Sequence, residues 1–232
     1  MSEGIIGNIT AVLYYMFFVI SGIIIMFRLL NSQKLSIMFK CLLGSVFGTL
    51  EFQWMPIIFA FFMDFTVKAH ICALVIQVLV FILVILKTNR EQGFINTYKK
   101  PIEWKRFLWE NPASIIIFAS FVIFAYCLNT HTILLNSDGS LHTGQATYGD
   151  MNMHIGFITS IAKQHTFPPE YSIYPGIKLA YPFLSDSISS SLYLLGASLR
   201  VAYIIPMLVA VMQVFCGFYC FIKFWFKKGS VA

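Results

Sequence analysis

The chain has 232 residues, of which 58% are hydrophobic and only 11% are charged, whereas soluble domains are about 45–50% apolar and about 25% charged. The apolar residues fall in blocks of about twenty, the length of a helix that crosses a bilayer, so the composition excludes a soluble globular protein. The formal net charge is +6. It does not indicate nucleic acid as a partner, because most basic residues lie in short loops beside apolar blocks.

About five blocks are long enough to span a lipid bilayer, at about 9–30, 37–63, 69–86, 113–134 and 201–222. Basic residues cluster after the first, third and fifth of them. The positive-inside rule assigns these clusters to the cytoplasm. We therefore expect a multi-pass protein of the cell membrane, with its N-terminus outside and its C-terminus cytoplasmic.

The predicted fold is all-α and integral to the membrane. Residues 1–134 hold the first four transmembrane helices, and 201–232 hold the fifth helix with a basic tail. Between them lies a polar segment, 135–200, which is predicted to face outward and to carry interfacial helices and a short β-hairpin. None of the five cysteines falls in this segment, which argues against a disulfide scaffold or a thiolate zinc site.

Two features of the second predicted span concern packing and function. Gly44 and Gly48 have the four-residue spacing typical of closely packed membrane helices. Glu51 lies near the middle of the span, where a carboxylate costs roughly 2.5–3.5 kcal/mol on insertion scales. Glu51 is either a hydrogen-bonded contact between helices or a site for a substrate or a proton path.

The polar segment opens with a predicted hairpin. Residues 136–140 read Asn-Ser-Asp-Gly-Ser, and Asp-Gly supplies the positive φ that a hairpin turn needs. Thr132–Leu135 is either the first strand or the end of the fourth span, and Leu141–Tyr148 is the expected returning strand.

A helix is predicted next, at about 151–165. Its apolar stripe has helical spacing and consists of Met151, Ile155, Ile158 and Ala162. Asp150 precedes it, either as an N-cap or as part of a site, and the two roles are compatible. His154 is four residues on and shares a face with Asp150. Asp186 is the expected cap of a second short helix that ends near Gly196.

This region carries an ordered series of motifs: Tyr148-Gly149-Asp150, His154, Phe167-Pro168-Pro169-Glu170, Tyr174-Pro175-Gly176, Tyr181-Pro182, Ser185-Asp186 and Leu195-Gly196. In order and spacing they resemble the first outer loop of GT-C membrane glycosyltransferases. The most similar part of that superfamily is a bacterial branch related to the protein O-mannosyltransferases. The resemblance covers roughly residues 130–222, and it suggests that the chain is the N-terminal part of such an enzyme.

The resemblance implies transfer of a sugar from a polyprenyl-phosphate carrier on the outer face of the membrane, in cell-envelope glycan synthesis. The catalytic acidic residue of such enzymes lies in this loop, which makes Asp150 the candidate base. His154 is a candidate to bind phosphate or to help hold a metal. No Asp-x-Asp motif is present, so no metal ligand is assigned, and the participation of a divalent cation stays open.

Further polar residues are candidates to bind substrate. Cations suit a lipid phosphate, and tyrosine rings suit sugars; the candidates are Lys163, Lys178, Arg200, Tyr174, Tyr181 and Glu170. The cations and tyrosines have an alternative role as anchors at the membrane interface. Glu170 is alternatively a solvated loop charge.

Two other functions are compatible with the sequence. The chain is alternatively a non-catalytic component of envelope polysaccharide assembly. A transporter-like protein would make use of Glu51 and the glycine-spaced packing of the second span, although internal repeats, which many transporters have, are not evident.

Overall fold

The computed structural model describes residues 2–33, 35–92, 112–144, 149–174 and 176–226. These residues are mostly helical, with one two-stranded antiparallel sheet. The elements in chain order are α1 (Ser2–Leu29), α2 (Ile37–Met63), α3 (Val67–Gln92), α4 (Pro112–Thr130), β1 (Ile133–Leu135), β2 (Leu141–Thr143), α5 (Met151–Gln164), α6 (Leu184–Leu194) and α7 (Leu199–Phe226).

Within the described residues, four helices are long and apolar enough to cross a membrane. They are Gly4–Leu29, Ile37–Met63, Val67–Arg90 and Leu199–Phe226. They correspond to four of the predicted spans and indicate a multi-pass membrane protein. Helix α4 contains a shorter apolar stretch, Phe118–Thr130, and the assignment of a fifth span to it stays a prediction.

Helices α1 and α2 pack with their backbones in close contact. A Cβ atom built on Gly22 would lie 2.5 Å from the carbonyl oxygen of Gly44, and one on Gly48 would overlap the carbonyl oxygen of Phe18. Only glycine allows helices to approach this closely. The close-packing role predicted for Gly44 and Gly48 is therefore confirmed.

A buried polar contact joins the first three helices. The Gln77 side-chain amide of α3 donates from Nε2 to Ser21 Oγ of α1 and to Glu51 Oε2 of α2, each at 2.8 Å. Glu51 is 8% exposed. A polar group in hydrocarbon needs such partners, so Glu51 makes the hydrogen-bonded helix contact that was one of its two predicted roles.

The helix ends are tied together at both ends of the bundle. Arg28 Nη1 at the end of α1 donates to Asn89 Oδ1 near the end of α3, at 3.0 Å. At the opposite end, Asn8 Oδ1 of α1 accepts from the Ser198 backbone N–H just before α7, at 2.7 Å. The polar segment therefore lies at the end of the bundle that carries the start of α1, as the alternation of spans predicts.

The predicted hairpin is confirmed. Ile133 pairs with Thr143, and Leu135 pairs with Leu141. In the turn, Asp138 Oδ1 accepts from the Ser140 N–H at 2.9 Å and from its hydroxyl at 2.6 Å, and these hydrogen bonds lower the pKa of the Asp138 carboxyl. Of residues 132–135, left open as strand or helix, Ile133–Leu135 form β1 and Thr132 lies in a turn. Residues 145–148 of the expected second strand lie outside the described residues.

The contact between α1 and α2 predicts that replacing Gly48 by alanine destabilises the protein, whereas the same change at Gly217 does not. Replacing Gly48 by Ala should destabilise the protein by about 1–3 kcal/mol, because the new methyl group meets backbone that cannot yield. In Gly217→Ala, the matched control, the methyl group would have its nearest neighbour 3.8 Å away. Thermal unfolding in detergent should show a lower midpoint for Gly48→Ala alone; an unchanged midpoint would contradict the packing argument.

Candidate active site

Helix α5 packs against α6 and against the end of α2. Its apolar residues Phe157 and Ile161 join a buried cluster with Ile57 and Ala60 of α2. Met151, Ile158 and Ala162 of the predicted stripe are also buried. The predicted helix at 151–165 is confirmed with one residue fewer, and its apolar face shares a buried cluster with the end of a membrane-spanning helix.

Asp150 occupies the N-cap position of α5, but its side chain makes no capping hydrogen bond. The residue is exposed. The structure therefore contradicts the capping role, which was one of the two roles predicted for Asp150. An exposed carboxylate at a helix N-terminus is available to a ligand.

The structure brings His154 of α5 together with Asp186 of α6. His154 Nδ1 lies 3.1 Å from each carboxylate oxygen of Asp186. The Asp186 side chain is 9% exposed and the His154 side chain 30%. The pair is thus a buried carboxylate with an imidazole in front of it that reaches the surface.

Asp186 does not have its predicted role. Helix α6 begins at Leu184 with Phe183 at the N-cap position, so Asp186 falls in the first turn and makes no cap. Burial raises the pKa of the Asp186 carboxyl, while the hydrogen bond and charge of His154 act in the opposite direction. A usable sequence signal was present: Asp186 lies on a short amphipathic helix, and a buried carboxylate requires a partner.

Tyr181 is the predicted sugar-binding tyrosine that lies at this pair. Its ring centroid is 6.0 Å from that of His154 and 5.3 Å from that of Phe157, and the residue is 43% exposed. Tyr174 lies in an exposed turn, where its N–H donates to the Tyr171 carbonyl at 3.3 Å. Of the two tyrosines, Tyr181 therefore forms part of the wall around His154.

Glu170 and Lys178 contact each other. Lys178 Nζ lies 3.6 Å from Glu170 Oε1, the two residues form an isolated antiparallel bridge, and the Gly176 N–H donates to Glu170 Oε2 at 3.2 Å. These contacts close the loop between the two residues. A substrate that binds either side chain would have to compete with this loop contact.

The remaining predicted cations also have structural contacts. Arg200 donates from Nε to the Ile133 carbonyl and from Nη2 to the Thr130 carbonyl, each at 3.0 Å. It thereby supplies a hydrogen-bond donor to a carbonyl group at the C-terminal end of α4 and to another at the start of the hairpin. Lys163 Nζ lies over the Tyr193 ring, 5.9 Å from its centroid.

Neither a cluster of metal ligands nor a similarity to a known protein assigns a further role to these residues. In the described part of the chain, no three His, Cys, Asp or Glu side chains come together in a way that could hold a metal ion. No protein-family model matches the chain, and neither a curated protein nor a solved structure matches it.

The contacts of Arg200 predict a loss of stability on mutation. Arg200→Ala should cost about 1.5–3 kcal/mol, typical of a hydrogen bond to a charged group, and should raise amide exchange in residues 131–143. Arg200→Lys should behave similarly, because a single ammonium cannot reproduce the forked donation. Thermal unfolding and hydrogen exchange test this, with Lys163→Ala as control; unchanged stability in Arg200→Ala would contradict it.

Proposed function

We propose that the chain is a membrane glycosyltransferase of the GT-C kind, or the N-terminal part of one. It would transfer a sugar from a polyprenyl-phosphate carrier on the outer face of the cell membrane. The observation that carries this proposal is the grouping of His154, Asp186 and Tyr181 one helical turn after Asp150, the exposed residue at the start of α5. The motif resemblance supplies the reaction class.

The reaction requires a base and a group that receives the leaving phosphate. As the acceptor hydroxyl attacks the anomeric carbon, its proton passes to a carboxylate and the bond from that carbon to the phosphate oxygen breaks. The bonding electron pair leaves with the polyprenyl phosphate. Asp150 is the candidate base, since an exposed carboxylate is available for proton transfer, and His154 is the candidate to contact the phosphate.

The position of α5 also supports a lipid-linked substrate. Phe157 and Ile161 on its buried face belong to the same buried apolar cluster as Ile57 and Ala60 near the end of α2. The helix that carries His154 is therefore anchored at the end of a spanning helix, where a phosphate attached to a membrane-embedded chain can reach it.

The contacts of Glu51 argue against the alternative that the protein is transporter-like. Its carboxylate accepts from Gln77 within a three-helix contact, so a structural role already accounts for its burial. A flux of substrate through proteoliposomes that is abolished in Glu51→Gln would restore that alternative.

The proposed base gives a direct test. Asp150→Asn removes the proton acceptor but keeps the size of the side chain, and a general base contributes about 10²–10⁴-fold to rate. Sugar transfer from a polyprenyl-phosphate donor, measured in membranes that contain the protein, should fall by that factor.

Asp138→Asn is the matched control, because Asp138 is an exposed carboxylate of the same segment whose hydrogen bonds remain within the hairpin turn. Undiminished transfer in Asp150→Asn would remove Asp150 as the base. A protein that copurifies with a complete transferase but has no activity of its own would support the non-catalytic alternative.

The proposed orientation is tested by cysteine labelling. In a cysteine-free background, Ile173→Cys in the exposed loop should react with a membrane-impermeant maleimide in intact cells. Ser32→Cys, exposed between α1 and α2 at the opposite end, should react only after permeabilisation. The reverse pattern would invert the orientation and contradict the enzymatic proposal with it.

A further inference from the structure

The contact between His154 and Asp186 joins two helices across 32 residues of sequence. Because Asp186 is nearly buried and His154 partly exposed, the carboxylate lies behind the imidazole as seen from solvent. The same arrangement occurs at metal sites and in Ser-His-Asp enzymes. There a hydrogen-bond acceptor behind a histidine fixes the orientation of the ring that contacts the metal or the substrate.

The contact also determines the use of the two ring nitrogens. A carboxylate accepts hydrogen bonds, so Nδ1 of His154 carries a hydrogen and donates it to Asp186. Both contacts of the ring with Asp186 involve Nδ1. Nε2, on the far side of the ring, is therefore the nitrogen available to a ligand.

Two of the three predicted cations of the polar segment are engaged elsewhere. Arg200 donates to two main-chain carbonyls, and Lys178 contacts Glu170. His154 by contrast has a carboxylate behind it and a nitrogen directed away from that carboxylate. It is consequently better arranged to hold an anion than either of these side chains.

We propose that Asp186 is a positioning residue, which accepts the Nδ1–H of His154 and so directs the Nε2–H at a phosphate group. The inference rests on the proposed function, which supplies the phosphate as the headgroup of a polyprenyl carrier. Because Nδ1–H is donated to Asp186, the proton donated to phosphate lies on Nε2. The second proton is taken up from solvent when the anionic phosphate binds, so the ring carries both protons in the bound state and Asp186 balances its charge.

A double-mutant cycle on binding tests whether Asp186 acts through His154. Polyprenyl phosphate in detergent micelles is the probe for wild type, Asp186→Asn, His154→Ala and the double variant. Asp186→Asn should weaken binding about tenfold, within the range for a lost charged hydrogen bond, and should have no further effect in the His154→Ala background. Equal weakening in both backgrounds would overturn the proposal.

Nitrogen-15 NMR of the wild-type protein gives a readout that does not depend on a folded variant. The His154 signal, identified by its loss in His154→Gln, should show Nδ1 protonated without ligand and both nitrogens protonated with polyprenyl phosphate. An Nδ1 without hydrogen would overturn the proposal. If inorganic phosphate alone changes the signal and the lipid does not, the site binds a free anion and the lipid assignment is wrong.

Ser187→Ala is the matched control for packing, since Ser187 is buried on α6 beside Asp186 and its hydroxyl donates to the Leu184 carbonyl. It should leave the binding of polyprenyl phosphate unchanged; a loss equal to that in Asp186→Asn would show a packing effect and overturn the positioning role. Binding that depends on both His154 and Asp186 in a protein that transfers no sugar would refute the proposed function and retain this inference.

Discussion

The architecture depends on the need of every buried backbone group for a hydrogen-bond partner. Between its short helices and its hairpin the described part of the polar segment has no regular backbone pairing, and side chains from spanning helices supply several partners there. Asp64 Oδ1 at the end of α2 accepts from the Phe167 N–H at 3.0 Å, and Gln53 Nε2 of α2 donates to the Leu184 carbonyl at 2.5 Å. With Asn8 and Arg200, these contacts fasten the segment to the end of the bundle.

These hydrogen bonds determine where the end of α5 and the start of α6 lie relative to each other. The Gln53 contact holds the first residue of α6, two residues before Asp186, and the Asp64 contact holds the chain just after α5. Neither partner is near its target in sequence. The pairing of His154 with Asp186 therefore depends on the spanning helices as much as on the two short helices that carry it.

The sequence predicted what local patterns determine. Helical spacing located α5, Asp-Gly located the hairpin, and the glycine spacing in α2 predicted its close contact with α1; each depends on neighbours a few residues apart. The partner of His154 could not be found in this way, because 32 residues separate it from Asp186. For Asp150 the sequence left capping and a role in the site open, because propensity describes the average N-cap residue and not this particular carboxylate.

The cations show why composition alone is a poor guide to a phosphate site. A lysine or arginine in a membrane-adjacent segment is drawn both to anionic ligands and to main-chain carbonyls. Arg200 donates to one carbonyl at the end of α4 and to one at the start of β1. Histidine is a weaker cation in water but needs only one carboxylate to orient it. Such a pair, near the end of α2, could bind a charged headgroup close to the membrane. In the absence of substrate it would leave no permanent unpaired charge at that position.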